Sequence, residues 1–65
     1  MRVQLNGEAR EVDAQTLAEA LVELGYGEAT VATAVNGNFV PATQRTETTL
    51  AAGDQLEVLA PMQGG

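Results

Sequence analysis

The residues whose type and position point to chemistry stand at the C-terminus, where the sequence reads Met62-Gln63-Gly64-Gly65. Glycine has no side chain to bury, and it loses more backbone freedom on ordering than any other residue. A chemical role for the two glycines would therefore use main-chain atoms and the terminal carboxylate. Seven of the 65 residues are glycine. A chance pair at the end is rare at that frequency, which favours a functional end over a frayed one.

The rest of the sequence carries no recognisable catalytic set. His, Cys, Lys and Ser are all absent, and the nine acidic residues are spread along the chain. General acid–base and covalent catalysis usually use those side chains, or two carboxylates held together in a cleft. Gly25 and Gly27 flank Tyr26 without the Lys-Ser/Thr pair that completes a phosphate-binding loop. The chain is therefore predicted not to be an enzyme, and to bind no metal or cofactor itself.

Composition predicts one small, acidic domain. A chain of 65 residues is near the lower limit for a core that holds without disulfides or metals. A net charge of −6 disfavours nucleic-acid binding and suits either solubility or docking onto a basic partner surface. No apolar run reaches the ~20 residues that span a bilayer, and the N-terminus lacks a signal-peptide centre. We expect a cytoplasmic protein without membrane association, monomeric when free.

Alternating residues and Asn-Gly pairs predict the strands of this domain. The predicted strands are residues 1–6, 8–12, 31–35, 39–40 and 55–60. Asn6-Gly7 and Asn36-Gly37 are typical of two-residue type I′ hairpin turns. Pro41 cannot donate to a ladder, so it either ends the strand that it follows or places that strand at an edge of the sheet. In the final strand the alternation turns Leu56 and Val58 inward.

One helix is predicted near residues 16–25, between the two hairpins. Thr16 and Glu19 have the spacing of a capping box, and Gly25 stands where a left-handed C-terminal residue belongs. The apolar stripe of this helix consists of Leu17, Ala20, Leu21 and Leu24. The Thr-rich stretch 42–49 is predicted as a winding loop with a short turn, in which Arg45 is a solvated residue.

These elements predict an α+β fold, in which one main helix packs across a mixed sheet of four to five strands. The first and last strands are expected to be parallel neighbours. Apolar and polar residues alternate in both strands, and the same helix must cover the apolar face of each. The predicted division is a folded domain over residues 1–60 and a flexible C-terminal tail over residues 61–65.

This order of elements resembles the β-grasp, or ubiquitin-like, fold. With its Gly-Gly end the chain resembles the sulfur carrier proteins, and most closely the ThiS family of thiamine biosynthesis. Three stretches carry the resemblance: residues 35–41 (VNGNFVP), 53–58 (GDQLEV) and 62–65 (MQGG). The resemblance covers the whole chain in order and length.

The resemblance implies a role for the C-terminal residues. Gly65 would be adenylated by an E1-like adenylyltransferase of the ThiF type, which consumes ATP, and then converted to a thiocarboxylate with cysteine-derived sulfur. Thiazole synthase of the ThiG type would take that sulfur for the thiazole ring of thiamine. Gly64, Gln63 and Met62 would thread the narrow site of the partner enzyme.

Leu59 and Phe39 are the candidates for partner docking. Leu59 is expected on the outer face of the sheet beside the tail, because Leu56 and Val58 occupy the inner face. The face of Phe39 stays open, since the register across Asn36-Gly37 decides it. Three alternatives remain at this point: a carrier like the small subunit of molybdopterin synthase, a ubiquitin-like modifier that forms isopeptide bonds with lysines, and an interaction module with incidental glycines.

Overall fold

The computed structural model describes residues 1–27 and 29–60. Its elements in chain order are β1 (Arg2–Leu5), β2 (Glu8–Glu11), α1 (Leu17–Glu23), β3 (Ala32–Val35), β4 (Asn38–Val40), a 3₁₀ helix (Ala42–Glu47) and β5 (Gln55–Leu59). The predicted order of hairpin, helix, hairpin, loop and final strand is confirmed. The stretch predicted as a loop with a short turn contains the 3₁₀ helix.

The five strands form one mixed sheet in the order β2-β1-β5-β3-β4. β1 and β5 run parallel, with Gln4 opposite Gln55 and Leu5 opposite Leu56. The other neighbouring pairs are antiparallel. The predicted contact between the first and last strands is confirmed, and the last strand in sequence lies at the centre of the sheet.

Both Asn-Gly pairs form the tight turns of the hairpins. Asn6 and Asn36 have φ values of 50° and 51°, and the glycines after them have φ values of 86° and 83°. A type I′ turn requires positive φ at both central positions. Asparagine and glycine tolerate that conformation better than other residues, so the local sequence determines where each hairpin reverses.

Reciprocal capping starts helix α1. The Glu19 N–H donates to Thr16 Oγ1 at 3.3 Å, and Glu19 Oε1 accepts the main-chain N–H groups of Gln15 at 3.1 Å and Thr16 at 3.3 Å. These two main-chain donors, Gln15 first, lower the pKa of Glu19 below its ordinary value of 4.5. The helix ends at Glu23 with Leu24 as its C-cap residue, and Gly25 comes next with φ 96°.

The core lies between α1 and the inner face of the sheet. Its buried residues are Val3, Leu5, Val12, Ala14, Leu17, Ala20, Leu21, Val40, Leu50, Leu56 and Val58. The predicted helix stripe faces this core, with Leu24 only partly buried. Leu56 and Val58 point inward as predicted, so the opposite face of β5 is left to solvent.

Arg45 differs from its prediction as a solvated loop residue, because it is half-buried between the 3₁₀ helix and β3. Its Nε donates to Thr33 Oγ1 at 3.1 Å, and its Nη2 donates to the carbonyl of Val31 at 2.6 Å. The buried Thr33 hydroxyl in turn donates to the carbonyl of Val40 at 2.8 Å. Arg45 therefore ties the loop to the second hairpin.

Within residues 1–27 and 29–60, no helix is long and apolar enough to cross a lipid bilayer.

Candidate functional site

The outer face of β5 presents Leu59, as the sequence predicts. Leu56 and Val58 are 1% and 5% exposed, whereas Leu59 is 65% exposed. Successive side chains of a strand point to opposite faces, so two inward residues leave Leu59 on the outside. Leu59 is also the last residue of β5, and the chain continues from it toward the C-terminus.

Phe39 lies on the same outer face, which answers the question that the sequence leaves open. Ala34 is opposite Phe39 in the β3–β4 pair and opposite Glu57 in the β3–β5 pair. Directly opposed residues of a sheet share one face, so Phe39 is on the face of Glu57, which Leu59 also shares. Phe39 is 70% exposed.

Two small residues of β3 lie between these two large ones. Ala32 is opposite Leu59, and Ala34 is opposite Phe39. We call the four residues Phe39, Leu59, Ala32 and Ala34 the outer apolar patch. Shallow depressions run beside Phe39 and along Leu59 to Ala60. The patch therefore consists of two large exposed apolar side chains with two small alanine side chains between them. A partner protein can cover a surface of this kind.

An acidic residue accompanies the patch. Glu57 precedes Leu59 by two residues, so its carboxylate is on the outer face as well, and the residue is exposed. Farther across the same face, Arg2 Nε and Glu11 Oε1 form an exposed ion pair at 3.5 Å. A partner that covers the patch would therefore meet a carboxylate beside it, and a basic group there would complement it.

The proposed tail lies beyond the described residues. The described residues, 1–27 and 29–60, do not include the predicted tail residues Met62, Gln63, Gly64 and Gly65. The boundary predicted after residue 60 also lies outside them. Their predicted roles and the predicted division of the chain stay predictions. The described chain reaches Ala60, directly after the patch residue Leu59.

Two asparagine side chains that the sequence predicts only as turn residues also brace β5. Asn6 Oδ1 accepts the N–H of Val58 at 2.9 Å, and its Nδ2 donates to the carbonyl of the same residue at 3.1 Å. Asn36 Oδ1 accepts the N–H of Gln55 at 2.9 Å, and its Nδ2 donates to Asp54 Oδ1 at 3.0 Å. The signal in the sequence is the amide itself, since glycine would serve the turn but could not make these bonds.

The described residues do not assemble a metal-binding cluster. Among residues 1–27 and 29–60, no three Asp or Glu side chains come together as a set of metal ligands. Every buried side-chain nitrogen or oxygen in this part of the chain has a hydrogen-bond partner.

An α-helix packed across a mixed five-stranded sheet, with β5 central and parallel to β1, defines a β-grasp domain of the ubiquitin-like class. The sequence model of the ThiS family matches residues 3–65, and the chain belongs to that family.

Known proteins of this family match over nearly their whole length. The sulfur carrier protein ThiS of Thermus thermophilus is 40% identical over 63 residues, which are 97% of this chain and 98% of that protein. The crystal structure of the thiamine biosynthesis protein ThiS from Geobacter metallireducens superposes with a TM-score of 0.84 at 30% identity, covering 100% of both chains. A solution structure of a thiamine biosynthesis protein from the same organism gives 0.79 at 29% identity, covering 100% of this chain and 88% of that one.

Proposed function

We propose that this protein is a sulfur carrier of thiamine biosynthesis, and that its C-terminal Gly65 carries the sulfur as a thiocarboxylate. The observation that supports this most strongly is the match to the ThiS family, because it extends through Gly64 and Gly65. The relative from Thermus thermophilus is named as a sulfur carrier. The chain also lacks Cys, and a carrier that holds sulfur on its terminal carbon does not need a thiol.

The proposed chemistry has two steps on the terminal carboxylate. A carboxylate is a poor electrophile, so an oxygen of Gly65 first attacks the α-phosphorus of ATP in a ThiF-type adenylyltransferase, and pyrophosphate leaves. Sulfur at the sulfide level, which comes ultimately from cysteine, then attacks the acyl carbon and displaces AMP, and loss of the sulfur-bound proton leaves the thiocarboxylate. Thiazole synthase of the ThiG type receives this sulfur. In this proposal the chain is a substrate of these enzymes, and ATP is bound and consumed by its partner.

The outer apolar patch is the proposed docking surface for these enzymes. Phe39 and Leu59 are 70% and 65% exposed on one face, and Leu59 ends the strand that leads to the reactive end. A partner that covers the patch therefore holds the carrier beside the point from which residues 61–65 enter its site. Glu57 and the net charge of −6 favour a basic rim on that partner.

The test is the intact mass of the protein purified from cells that make its partner enzymes. The expected result is a species heavier by the difference between sulfur and oxygen, which an alkylating reagent labels at the C-terminus and mild hydrolysis returns to the unmodified mass. A Gly65 deletion variant expressed in the same cells is the control and should show neither shift nor label. The unmodified mass alone, with competent partner enzymes present, would contradict the proposal, and conjugates to other proteins would indicate a ubiquitin-like modifier instead.

A further inference from the structure

Within residues 1–27 and 29–60, the end of β5 has a main-chain neighbour on one side only. On the β3 side, pairing continues to Leu59, which is opposite Ala32. On the β1 side, the Asn6 N–H donates to the carbonyl of Leu56 at 2.9 Å, and the chain then turns away through Gly7. The next main-chain groups of β5 that face this side belong to Val58, and the Asn6 side chain binds both of them.

We propose that Asn6 is a positioning residue, whose side chain clamps Val58 and so fixes the direction in which the end of β5 points the chain toward the activating enzyme. This inference rests on the proposed function, because the direction matters only if the C-terminal carboxylate must reach a reaction site.

The side-chain amide of Asn6 makes the two hydrogen bonds to Val58 that the main chain of a neighbouring strand would otherwise make. Its Oδ1 accepts the Val58 N–H at 2.9 Å and its Nδ2 donates to the Val58 carbonyl at 3.1 Å, the same donor and acceptor pair that a neighbouring strand would supply. The two bonds are partly buried and join positions 52 residues apart in sequence. Two bonds from one rigid amide restrict both the twist and the lateral swing of the strand end.

The conformation of the first turn aims this amide at β5. Asn6 has φ 50° at the first central position of the hairpin turn, and its own N–H is already bonded to Leu56. Residues at this position must tolerate positive φ, and asparagine and glycine do so most readily. Glycine would keep the hairpin and lose the clamp, which makes the substitution Asn6→Gly a selective test.

Asn36 supplies a matched control within the same fold. It has the same turn position and nearly the same φ of 51°, and its side chain also binds β5. Its contacts, however, are with the Gln55 N–H and with Asp54, at the start of the strand. Asn36→Gly therefore removes a similar side chain from a similar turn, at the end of β5 that is remote from the C-terminus.

The first measurement is amide hydrogen exchange of the full-length parent and of both variants. In Asn6→Gly we expect the Val58 amide to exchange faster by about tenfold or more, whereas Asn36→Gly leaves it at the parent rate once global stability is taken into account. Unchanged exchange at Val58 in Asn6→Gly would overturn the clamp. This measurement does not depend on any partner enzyme.

The second measurement is ATP–pyrophosphate exchange by the cognate adenylyltransferase, with each carrier varied in concentration. A carrier that docks through the outer apolar patch but presents its end in many directions binds normally and reacts rarely. We therefore expect Asn6→Gly to lower kcat about three- to tenfold, the factor that about one net hydrogen bond represents in an equilibrium. KM should stay within about twofold of the parent value.

A lower kcat with an unchanged KM distinguishes a loss of positioning from a loss of stability. Partial unfolding lowers the concentration of competent carrier, which raises the apparent KM and leaves kcat unchanged. A raised KM with parental kcat in Asn6→Gly, or an equal loss of kcat in Asn36→Gly, would overturn the assignment of Asn6. If the parent itself supports no exchange while the Val58 amide responds as expected, the proposed function fails and the clamp remains as a structural contact, without the positioning role.

Discussion

At the scale of single residues, two equally exposed apolar side chains allow a direct test of the docking surface. Leu59 is 65% exposed on the outer face, and Val22 is 66% exposed on α1, which packs against the inner face. Replacement of either residue by Glu adds one negative charge and removes a similar exposed apolar side chain. The two substitutions therefore differ mainly in the face of the molecule that they alter.

We expect Leu59→Glu to raise the KM for the carrier in ATP–pyrophosphate exchange by about tenfold or more, because a buried apolar contact at an interface contributes on the order of 1–2 kcal/mol. Activation at saturating carrier concentration should persist, since Gly65 is unchanged. Val22→Glu should behave like the parent, and thermal melts should show both variants folded. An equal effect of the two substitutions would argue for a general charge effect in place of docking through the patch.

Arg45 allows a test of stability at the same scale. Its guanidinium donates to Thr33 Oγ1 and to the Val31 carbonyl, and Arg45→Met keeps most of the apolar stem while removing both donors. We expect a loss of about 1–3 kcal/mol in the free energy of unfolding, because the Val31 carbonyl loses its side-chain donor in a partly buried site. Urea denaturation measures this loss.

The control for Arg45 is Arg10→Met on the exposed strand β2, which removes the same charge. This variant should stay within about 0.5 kcal/mol of the parent. Equal destabilisation by the two substitutions would mean that net charge, and not the contacts of Arg45 with the second hairpin, accounts for the effect.

The residues that the sequence could not assign are those whose partners are distant along the chain. Leu59 was predictable because its face follows from Leu56 and Val58 in the same strand. Arg45 contacts residues 12 and 14 positions away, and Asn6 contacts Val58 across 52 positions. A local pattern reports turn propensity and exposure, but it does not report which distant main-chain group a polar side chain will meet.

At the scale of elements, short sequence motifs predict the helix and strand ends that have a capping residue or a tight turn. The Thr16 capping box and the two Asn-Gly pairs occur where the sequence predicts them. Phe39 could not be oriented in advance because β4 has only three residues, and a shift of one residue in pairing moves a side chain to the other face. The 3₁₀ helix lies in a Thr-rich stretch whose sequence carries no comparable signal.

The helix cap predicts a dependence of stability on pH. The main-chain N–H groups that bind Glu19 lower its pKa from the ordinary value of 4.5, so the folded state favours the ionised carboxylate. The resulting stabilisation is present above the unfolded pKa and is lost as the pH falls through the lower folded pKa. In Glu19→Gln this contribution is absent, so parent and variant should differ most near neutral pH and converge in acid.

Urea denaturation from pH 7 to about pH 3 checks this convergence. The matched control is Glu8→Gln on β2, which removes an exposed carboxylate outside the cap. An equal acid-side decline in Glu8→Gln would assign the effect to net charge in place of the cap. A constant difference between Glu19→Gln and the parent across the whole range would contradict the cap as its source.

At the scale of the whole molecule, the last strand in sequence is the central strand of the sheet. β5 can take its place only after β1 and β3 are present on its two sides. The point from which residues 61–65 continue is therefore fixed by nearly the entire domain. If the proposed function holds, an activating enzyme that recognises this strand end together with the outer apolar patch recognises a completed fold, and an incomplete chain presents neither.

The proposed chemistry itself is tested by deletion of Gly65. A terminal glycine has no side chain to bury, so thermal melts of the deletion variant and the parent should coincide. ATP–pyrophosphate exchange should nevertheless be abolished. The variant still ends in a carboxylate, on Gly64, but one residue of extended chain is about 3.5 Å, and in-line attack on phosphorus requires near-contact of the reacting atoms.

The substitution Gly64→Val distinguishes the length of the chain end from its steric access to the partner's site. This variant keeps the full length and the Gly65 carboxylate, but it adds a branched side chain where the terminus must enter, so exchange should also fall steeply while folding is retained. Gln63→Ala is the matched control, because it shortens a neighbouring side chain without adding bulk, and it should retain most of the activity. If the Gly65 deletion supports exchange as well as the parent does, the terminal carboxylate of Gly65 is not the activated group, and the carrier proposal fails even though the fold and family stand.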